Sequence, residues 1–472
     1  MSIKRVALAT LGCRVNQAES DSLAEQFQAR GYQVVRSHQP ADVFILNSCT
    51  VTHVADRKSR QVLRQAKRAN PNALIAVTGC YAQMGAGEVA AMLGVDLVVG
   101  NGDKPCLVDI IEEAIAARPV TEGSAPGGLG VGPSSPSSFA LPAATILGDS
   151  RLGGADYPAT PRRTRALIKI QDGCDNFCTY CIVPKARGPR RSVPVQEVVD
   201  AVQEKVGQGY AEVVLTGVHA GAYGQEPGSP TAGVDLAGLV QRILMETNVR
   251  RLRLSSIEPW DFRPHFLALW ESPRLCRHLH LPLQSGSDTT LQRMGRRYSA
   301  GMFRELVGNI RSAIPEVAIT TDVMVGFPGE TEADHAESLR FCTEIGFAGM
   351  HVFQYSRREG TPAARLPRQV VETVKKRRSE EMLALAASSA ARFRQRFLGH
   401  RALILWEGQT GTHGPGPEHA GRRTWEGLTD NYLRVYAEAP IILSNQLSLA
   451  RLVAEWKDGL WGELEGALAS CA

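Results

Sequence analysis

The chain has 472 residues, room for roughly three domains at about 150 residues each, and its 43% hydrophobic and 21% charged residues are ordinary globular proportions. Disordered, collagen-like and coiled-coil readings of the whole chain are thereby excluded. The net charge of +5 is mild but uneven: residues 365–401 hold ten Lys/Arg against three Asp/Glu, a local +7 that points to a polyanion near the C-terminal third.

No apolar run approaches the 18 or so residues a membrane span needs. The segment Met1 to Cys13 lacks a long apolar region followed by a small-residue cleavage site, so no secretory signal is expected. Ten cysteines in 472 residues are too sparse for a secreted disulfide scaffold. A cytoplasmic protein is expected, whose cysteines bind metal or do chemistry.

Residues 1–118 alternate short apolar runs with helical patterns. Strands are predicted at Val6–Leu11, Val43–Leu46, Leu74–Thr78 and Leu97–Val99, and helices at Ala18–Arg30 and Ala55–Ala69. This alternation predicts an α/β fold with a doubly wound parallel sheet. A linker is expected over 119–160, because 13 of the 20 residues 121–140 are Gly, Pro or Ser.

Residues 161–390 resume the alternation, with strands predicted at Ala166–Ile170, Glu212–Leu215, Arg251–Leu254, His278–Leu281, Ala318–Val323 and His351–Tyr355. Helical patterns include Val195–Val206, Leu236–Glu246 and Glu332–Ile345, and a basic helix follows over about 369–398. Six such repeats favour a barrel-like or open parallel sheet with its active site at the C-terminal strand ends. Residues 391–472 read as a small all-β barrel. Strands are predicted at Ala402–Trp406, Asn431–Ala437 and Leu447–Val453, with a loop at Gly408–Gly421.

Two groups of cysteines carry the chemistry. Cys174, Cys178 and Cys181 stand three within eight residues, directly after a strand, and can wrap one face of a metal or cluster. A closed structural zinc site takes four ligands, and so does a 4Fe-4S cluster that only transfers electrons. The missing fourth ligand leaves a position open for something else; zinc with a remote fourth ligand is the alternative. Cys13, Cys49 and Cys80 are 36 and 31 residues apart, yet each ends an apolar strand pattern, and each interval is about one βαβ unit. Parallel strands place their C-terminal ends on one edge, so these thiols are expected to converge, again one ligand short. Spacing alone leaves the metal unidentified.

The CX3CX2C pattern, with Tyr180 before its last Cys, resembles the radical S-adenosylmethionine enzymes. With the three N-terminal cysteines and the C-terminal β-barrel, it makes the chain resemble the methylthiotransferase family. Thr10 to Ser20 resembles the family's opening motif in its tRNA threonylcarbamoyladenosine branch. Further similarities are LTGVHAGAYG over 215–224, HLPLQSGS over 280–287, TTDVMVGFPGET over 320–331 and YSRREGTPAA over 355–364.

The resemblance implies a central partial barrel of radical S-adenosylmethionine type and a C-terminal TRAM-like RNA-binding barrel. It implies two 4Fe-4S clusters, on Cys174, Cys178 and Cys181 and on Cys13, Cys49 and Cys80, with S-adenosylmethionine on the open iron of the first. Gly217, His219, Gln284 and Ser285 are expected near that cofactor. No catalytic residue is expected beyond the cluster ligands. The implied reaction adds a methylthio group to C2 of N6-threonylcarbamoyladenosine at position 37, in the anticodon loop of tRNA, with a reducing electron donor as partner.

Sister substrates stay open: isopentenyladenosine in tRNA, or an aspartate of a ribosomal protein. A zinc-containing RNA-binding protein without redox activity, or an enzyme with one cluster, also stays open. Trp425, Tyr432 and Tyr436 are placed either to stack on bases or to fill the β-barrel. Cys106, Cys276, Cys342 and Cys471 have no spacing partner and are not expected to be ligands.

Overall fold

The computed structural model describes residues 4–118, 155–156, 164–410 and 423–465. The predicted linker lies almost wholly outside the described residues, as do most of the predicted Gly408–Gly421 loop and Cys471. Among the described residues no helix is long and apolar enough to cross a membrane.

In the N-terminal unit, apolar runs form β1 (Arg5–Thr10), β2 (Gln33–Val35), β3 (Val43–Ser48), β4 (Leu74–Gly79) and β5 (Leu97–Val99). They pair in parallel in the order β2-β1-β3-β4-β5, and β6 (Ala155–Asp156) lies antiparallel on β1. Side chains of a strand alternate between faces, and both faces are apolar. Val6, Leu8, Val43 and Ile45 pack against Leu23 and Phe27 of the helix Arg14–Ala29 and Ile111 of the helix Leu107–Ala116. Ala7, Phe44, Leu46 and Ile75 pack against Leu63 and Ala66 of the helix His53–Ala69. The sheet is doubly wound. Elements not foreseen include β2, which is too short to show a period, β6, the short helices Cys80–Met84 and Ala86–Ala90, and the helix Leu107–Ala116.

In the second unit, β7 (Arg165–Asp172) carries a short antiparallel β8 (Arg191–Ser192) and pairs in parallel with β9 (Glu212–Gly217), which pairs with β10 (Arg251–Leu254). A second parallel group is β11 (His278–His280), β12 (Ala318–Val325) and β13 (Gly349–Gln354). Parallel bridges Leu252 to Leu275 and Ser256 to His280 join the two groups into one arc. Among the described residues β7 and β13 do not pair, so the barrel is partial. Ile168, Val213, Leu215, Leu252, Leu279, Ile319 and Met350 face the surrounding helices in one core. By alternation Lys169, Glu212, Arg253, His278, His280, Asp322 and His351 face the lumen.

The lower lumen is closed by charge. Glu212 is buried between Arg253 at 2.6 Å and Arg251 at 3.0 Å. Burial by itself raises its pKa, but the two guanidinium groups outweigh that and hold it at about 2 rather than 4.5. A depressed carboxyl stabilises the fold above its unfolded pKa and loses that contribution as pH falls through the folded value; from 4.5 to about 2 this is about 3 kcal/mol. Urea titrations at stepped pH are expected to show the parent more stable than Glu212→Gln at pH 7, with the gap narrowing below about pH 4.5. A gap independent of pH contradicts the assignment.

The C-terminal strands β14 (Arg401–Gln409), β15 (Arg423–Thr429), β16 (Arg434–Ala439), β17 (Leu447–Trp456) and β18 (Gly459–Leu464) close a barrel in the order β14-β15-β16-β18-β17. Only three of these five were expected. Asn431 lies in a turn, not a strand. The β15–β16 turn plugs the lower lumen: Arg253 donates to the carbonyls of Thr429 and Asp430, and Tyr432 stacks on His278 with ring centres 4.4 Å apart. Trp425 and Tyr436 are buried, Tyr436 bonding Asp458. Of the two roles open to these three aromatics, the structure shows packing rather than base stacking.

The basic segment forms the helix Glu372–Gln395. Part of its charge is spent inside the fold: Arg378 is buried against Glu330 at 2.9 Å and reaches Glu332 at 2.7 Å, and Lys375 is buried beneath Tyr355. The helix is anchored to the partial barrel by ion pairs, so its full +7 is not a solvent-facing stripe.

Candidate metal centre and barrel lumen

Cys13 follows β1 and caps the helix Arg14–Ala29, Cys49 follows β3, and Cys80 follows β4 and opens the short helix Cys80–Met84. Because β1, β3 and β4 are adjacent and parallel, the three cysteines share one edge of the sheet, at the point where the chain switches direction across it. Two glycines permit the close approach. A Cβ on Gly12, at φ +110°, would lie 2.2 Å from Cys49 Cβ; one on Gly79, at φ +94°, would lie 2.2 Å from the Ser48 carbonyl oxygen. Cys13 is exposed, and Cys49 and Cys80 are buried. The Cys49 thiol donates to Cys13 Sγ, and with the Arg187 charge and the Asn16 N–H it lowers the Cys13 pKa below the usual thiol value. Cys49 is raised well above the usual thiol value by the same contact and by burial.

A buried polar cage surrounds these thiols. Arg187 Nε donates to Cys80 Sγ at 3.2 Å, while its terminal nitrogens reach Glu19 at 2.9 Å and Asn16 Oδ1 at 2.5 Å. Lys104 Nζ meets the other Glu19 oxygen at 2.5 Å and Asn47 Oδ1 at 3.2 Å. Asn16 Nδ2 holds the carbonyls of Leu11 and Ser48, and so ties together the loops after β1 and β3. Asn101 Nδ2 donates weakly to Cys80 Sγ. The helix Arg14–Ala29 thus turns polar residues inward near its start: Asn16 and Glu19 meet Arg187 beside the thiols, and Ser20 meets Thr10 and Asn47.

Among the described residues, no three His, Cys, Asp or Glu side chains close on one point as a single ion requires. A polynuclear cluster separates its ligands with its own atoms, and soft thiolates are its natural donors. Three thiols gathered at one sheet edge, one with its pKa lowered by its neighbours, with a glycine cradle and a guanidinium beside them, fit such a cluster better than a lone zinc ion.

The loop after β7 carries Cys174, Cys178 and Cys181, each partly exposed. The Cys174 N–H donates to the Gly188 carbonyl at 3.1 Å, and Asn176 N–H donates to Cys174 Sγ at 3.4 Å. Thr179 is pinned by its N–H to the Met294 carbonyl and its hydroxyl to that of Arg293. Arg296 places a permanent positive charge beside Cys178 Sγ at 3.6 Å. That guanidinium is fixed by Glu258, by the Pro282 carbonyl, and by the rings of Trp260 and Tyr298 at 4.7 and 5.2 Å. Burial disfavours its charge, but Glu258 keeps its pKa well above the ordinary value.

The residues expected near the cofactor occupy the C-terminal rim. Gly217 ends β9, where a Cβ would press on Gln171 Oε1 at 3.0 Å. His219 is buried; its N–H donates to Gln171, and its ring meets Asp261 at 2.5 Å. Gln284 has φ +66°, and its backbone pairs with Asp322 and Met324 of β12. Ser285 is buried, and its hydroxyl accepts from Ser287 N–H. Sequence reasoning missed Arg187, Lys104, Asn47, Asp261, Glu258 and Arg296, whose partners are far away in the chain. Asn16 and Glu19 had a signal, being part of the motif that begins at Thr10. Of the unassigned cysteines, Cys276 and Cys342 are core and Cys106 is exposed.

Residues 5–100 match the model of an uncharacterised protein family, UPF0004, and residues 168–342 match the radical SAM superfamily. The chain is 39% identical to the threonylcarbamoyladenosine tRNA methylthiotransferase of Bacillus subtilis, over 91% of this chain and 89% of that one. It is also 39% identical to the protein of that name from Thermotoga maritima, over 86% and 87%. The tRNA-2-methylthio-N(6)-dimethylallyladenosine synthase of Moorella thermoacetica is 34% identical over 89% and 90%. Among solved structures, a radical S-adenosylmethionine methyltransferase, TsrM, from Kitasatospora setae superposes with a TM-score of 0.52 at 14% identity, over 77% of each chain, which shows a shared fold.

Proposed function

The chain belongs to the radical S-adenosylmethionine methylthiotransferases, and from that membership we propose that it adds a methylthio group to C2 of N6-threonylcarbamoyladenosine at position 37 of tRNA. The superfamily uses a 4Fe-4S cluster and S-adenosylmethionine. Cys174, Cys178 and Cys181 would hold that cluster, and Cys13, Cys49 and Cys80 a second one. Bound there, the first would supply the electron that cleaves S-adenosylmethionine to a carbon radical, and the second the sulfur that is transferred.

The protein's own residues do the rest. The convergence of Cys13, Cys49 and Cys80 around Arg187 is the observation that carries the reading, because a radical enzyme with one cluster has no use for it. Arg296, locked by Glu258, holds positive charge against Cys178. The Gln284 backbone and the Gly217–Gln171–His219 contacts shape the rim on which an adenosyl group would lie, and Tyr432 stacks on His278 in the lower lumen. Threonylcarbamoyladenosine is favoured over isopentenyladenosine because relatives named for it are 36–39% identical, against 31–34% for those named for the dimethylallyl base. The reading makes this a cytoplasmic enzyme working on the anticodon loop with an external reductant, and the small β-barrel its RNA-binding part.

Nucleoside analysis of tRNA from a deletion strain tests it. Loss of the methylthio group from threonylcarbamoyladenosine alone is the expected outcome. Loss from isopentenyladenosine instead moves the assignment to the sister substrate, and an unchanged profile overturns the tRNA assignment.

A further inference from the structure

The lumen of the partial barrel is lined by charged side chains held in pairs. Facing it by strand alternation are Arg165, Lys169, Arg251 and Arg253, against Glu212 and Asp322. The arginines sit low. Arg165 pairs with Glu407, Arg251 and Arg253 with Glu212, and the last two also bind carbonyls of residues 428–430. Lys169 lies higher, level with Thr216 and three residues before the end of β7. A register shift between Lys169 and Gln171 turns Asp172 to the same side, where it meets Lys169 Nζ at 3.3 Å. That pair is part-exposed, 31% for the lysine, whereas the Arg253–Glu212 pair is almost wholly buried. Across the lumen Asp322 already has His280 at 3.3 Å, with His351 beside it in register on β13.

Resting on the function proposed above, we infer that Lys169 is the specificity-determining residue that receives the carboxylate of the threonylcarbamoyl group. The isopentenyl group has no charge, so a site that selects between the two bases must read an anion inside a barrel. A carboxylate removed from water needs a cation with N–H donors to offset its desolvation. Lysine suits an exchange of partners, being a point charge on a flexible stem, and Asp172 holds it in place until the substrate carboxylate competes for it. Its height is right as well: a base held at the rim, where barrel chemistry occurs, directs its N6 substituent down towards Lys169. His280 and His351 line the facing wall.

The test is equilibrium binding of fluorescent anticodon stem-loops to the reconstituted holoenzyme. One hairpin bears threonylcarbamoyladenosine; the other bears an N6-alkylcarbamoyladenosine of the same length without the carboxylate. The parent is expected to prefer the first by about 10- to 100-fold, the range of a hydrogen bond to a charged group. Lys169→Met should bring the ratio close to one, Lys169→Arg should restore most of it, and Asp172→Asn should keep it. A Lys169→Met protein that retains the parental ratio, or that loses both hairpins equally, overturns the inference. If the parent methylthiolates threonylcarbamoyladenosine tRNA yet shows no preference, the inference fails alone. If it makes no methylthio product on that tRNA, the proposed function fails and takes the inference with it.

Discussion

Replacing Cys13, Cys49 and Cys80 together by Ala is expected to lower the iron of the anaerobically reconstituted protein from about eight to about four per chain, the content of one cubane instead of two. Methylthio transfer should fall below detection while cleavage of S-adenosylmethionine to 5′-deoxyadenosine continues. The physical basis is the separation of the thiol sets along the chain and the strand-end geometry that gathers the N-terminal three. Gly12 and Gly79 leave just enough room for their loops to meet, and the Cys49 thiol already leans on Cys13. The converse variant, with Cys174, Cys178 and Cys181 changed to Ala, should also retain about four iron per chain but lose both cleavage and transfer. Iron that stays at about eight in the first variant, or bound zinc without sulfide in the parent, would sink the two-cluster reading.

Arg187→Met is expected to destabilise the N-terminal unit by about 1–3 kcal/mol, because it leaves buried acceptors on Glu19 and Asn16 without their donor. Arg187 and Glu19 are each under a tenth exposed, and the guanidinium also serves Asn16 and the Cys80 sulfur. Lys104 retains its contact with Glu19, so the loss should be smaller than for a carboxylate left with no cation. Burial lowers the pKa of Lys104 and Glu19 opposes that; removal of a second cation nearby strengthens its hold on its proton. Urea denaturation followed by circular dichroism reads the effect. The double variant Arg187→Met with Glu19→Gln should lose more than the single one, since it leaves the buried Lys104 ammonium without its carboxylate. A single variant as stable as the parent would show that this network is dispensable to folding.

Strand periodicity made both parallel sheets legible. In the N-terminal unit, β1, β3, β4 and β5 lie within one or two residues of their expected positions, since apolar runs between amphipathic helices leave few alternatives. The C-terminal barrel was harder to read. β15 and β18 contain Gly427, Gly459 and Gly462 and show little alternation; closure supplies their pairing partners. The basic helix showed a different limit. Charge counting found it, but could not see that Lys375 and Arg378 are buried against Glu372, Glu330 and Glu332.

The sequence by itself determined the reaction class. The proposed thiolate ligation accounts for the residue type at the strand ends and in the CX3CX2C loop, and strand-helix alternation accounts for the spacing. Only the tertiary structure decided what surrounds those thiols. Arg187 reaches Cys80 from 107 positions away, Arg296 reaches Cys178 from 118, and Tyr432 closes a barrel it does not belong to. Charge in a folded interior is balanced by neighbours in space, and no local pattern records which distant residue the fold will bring alongside.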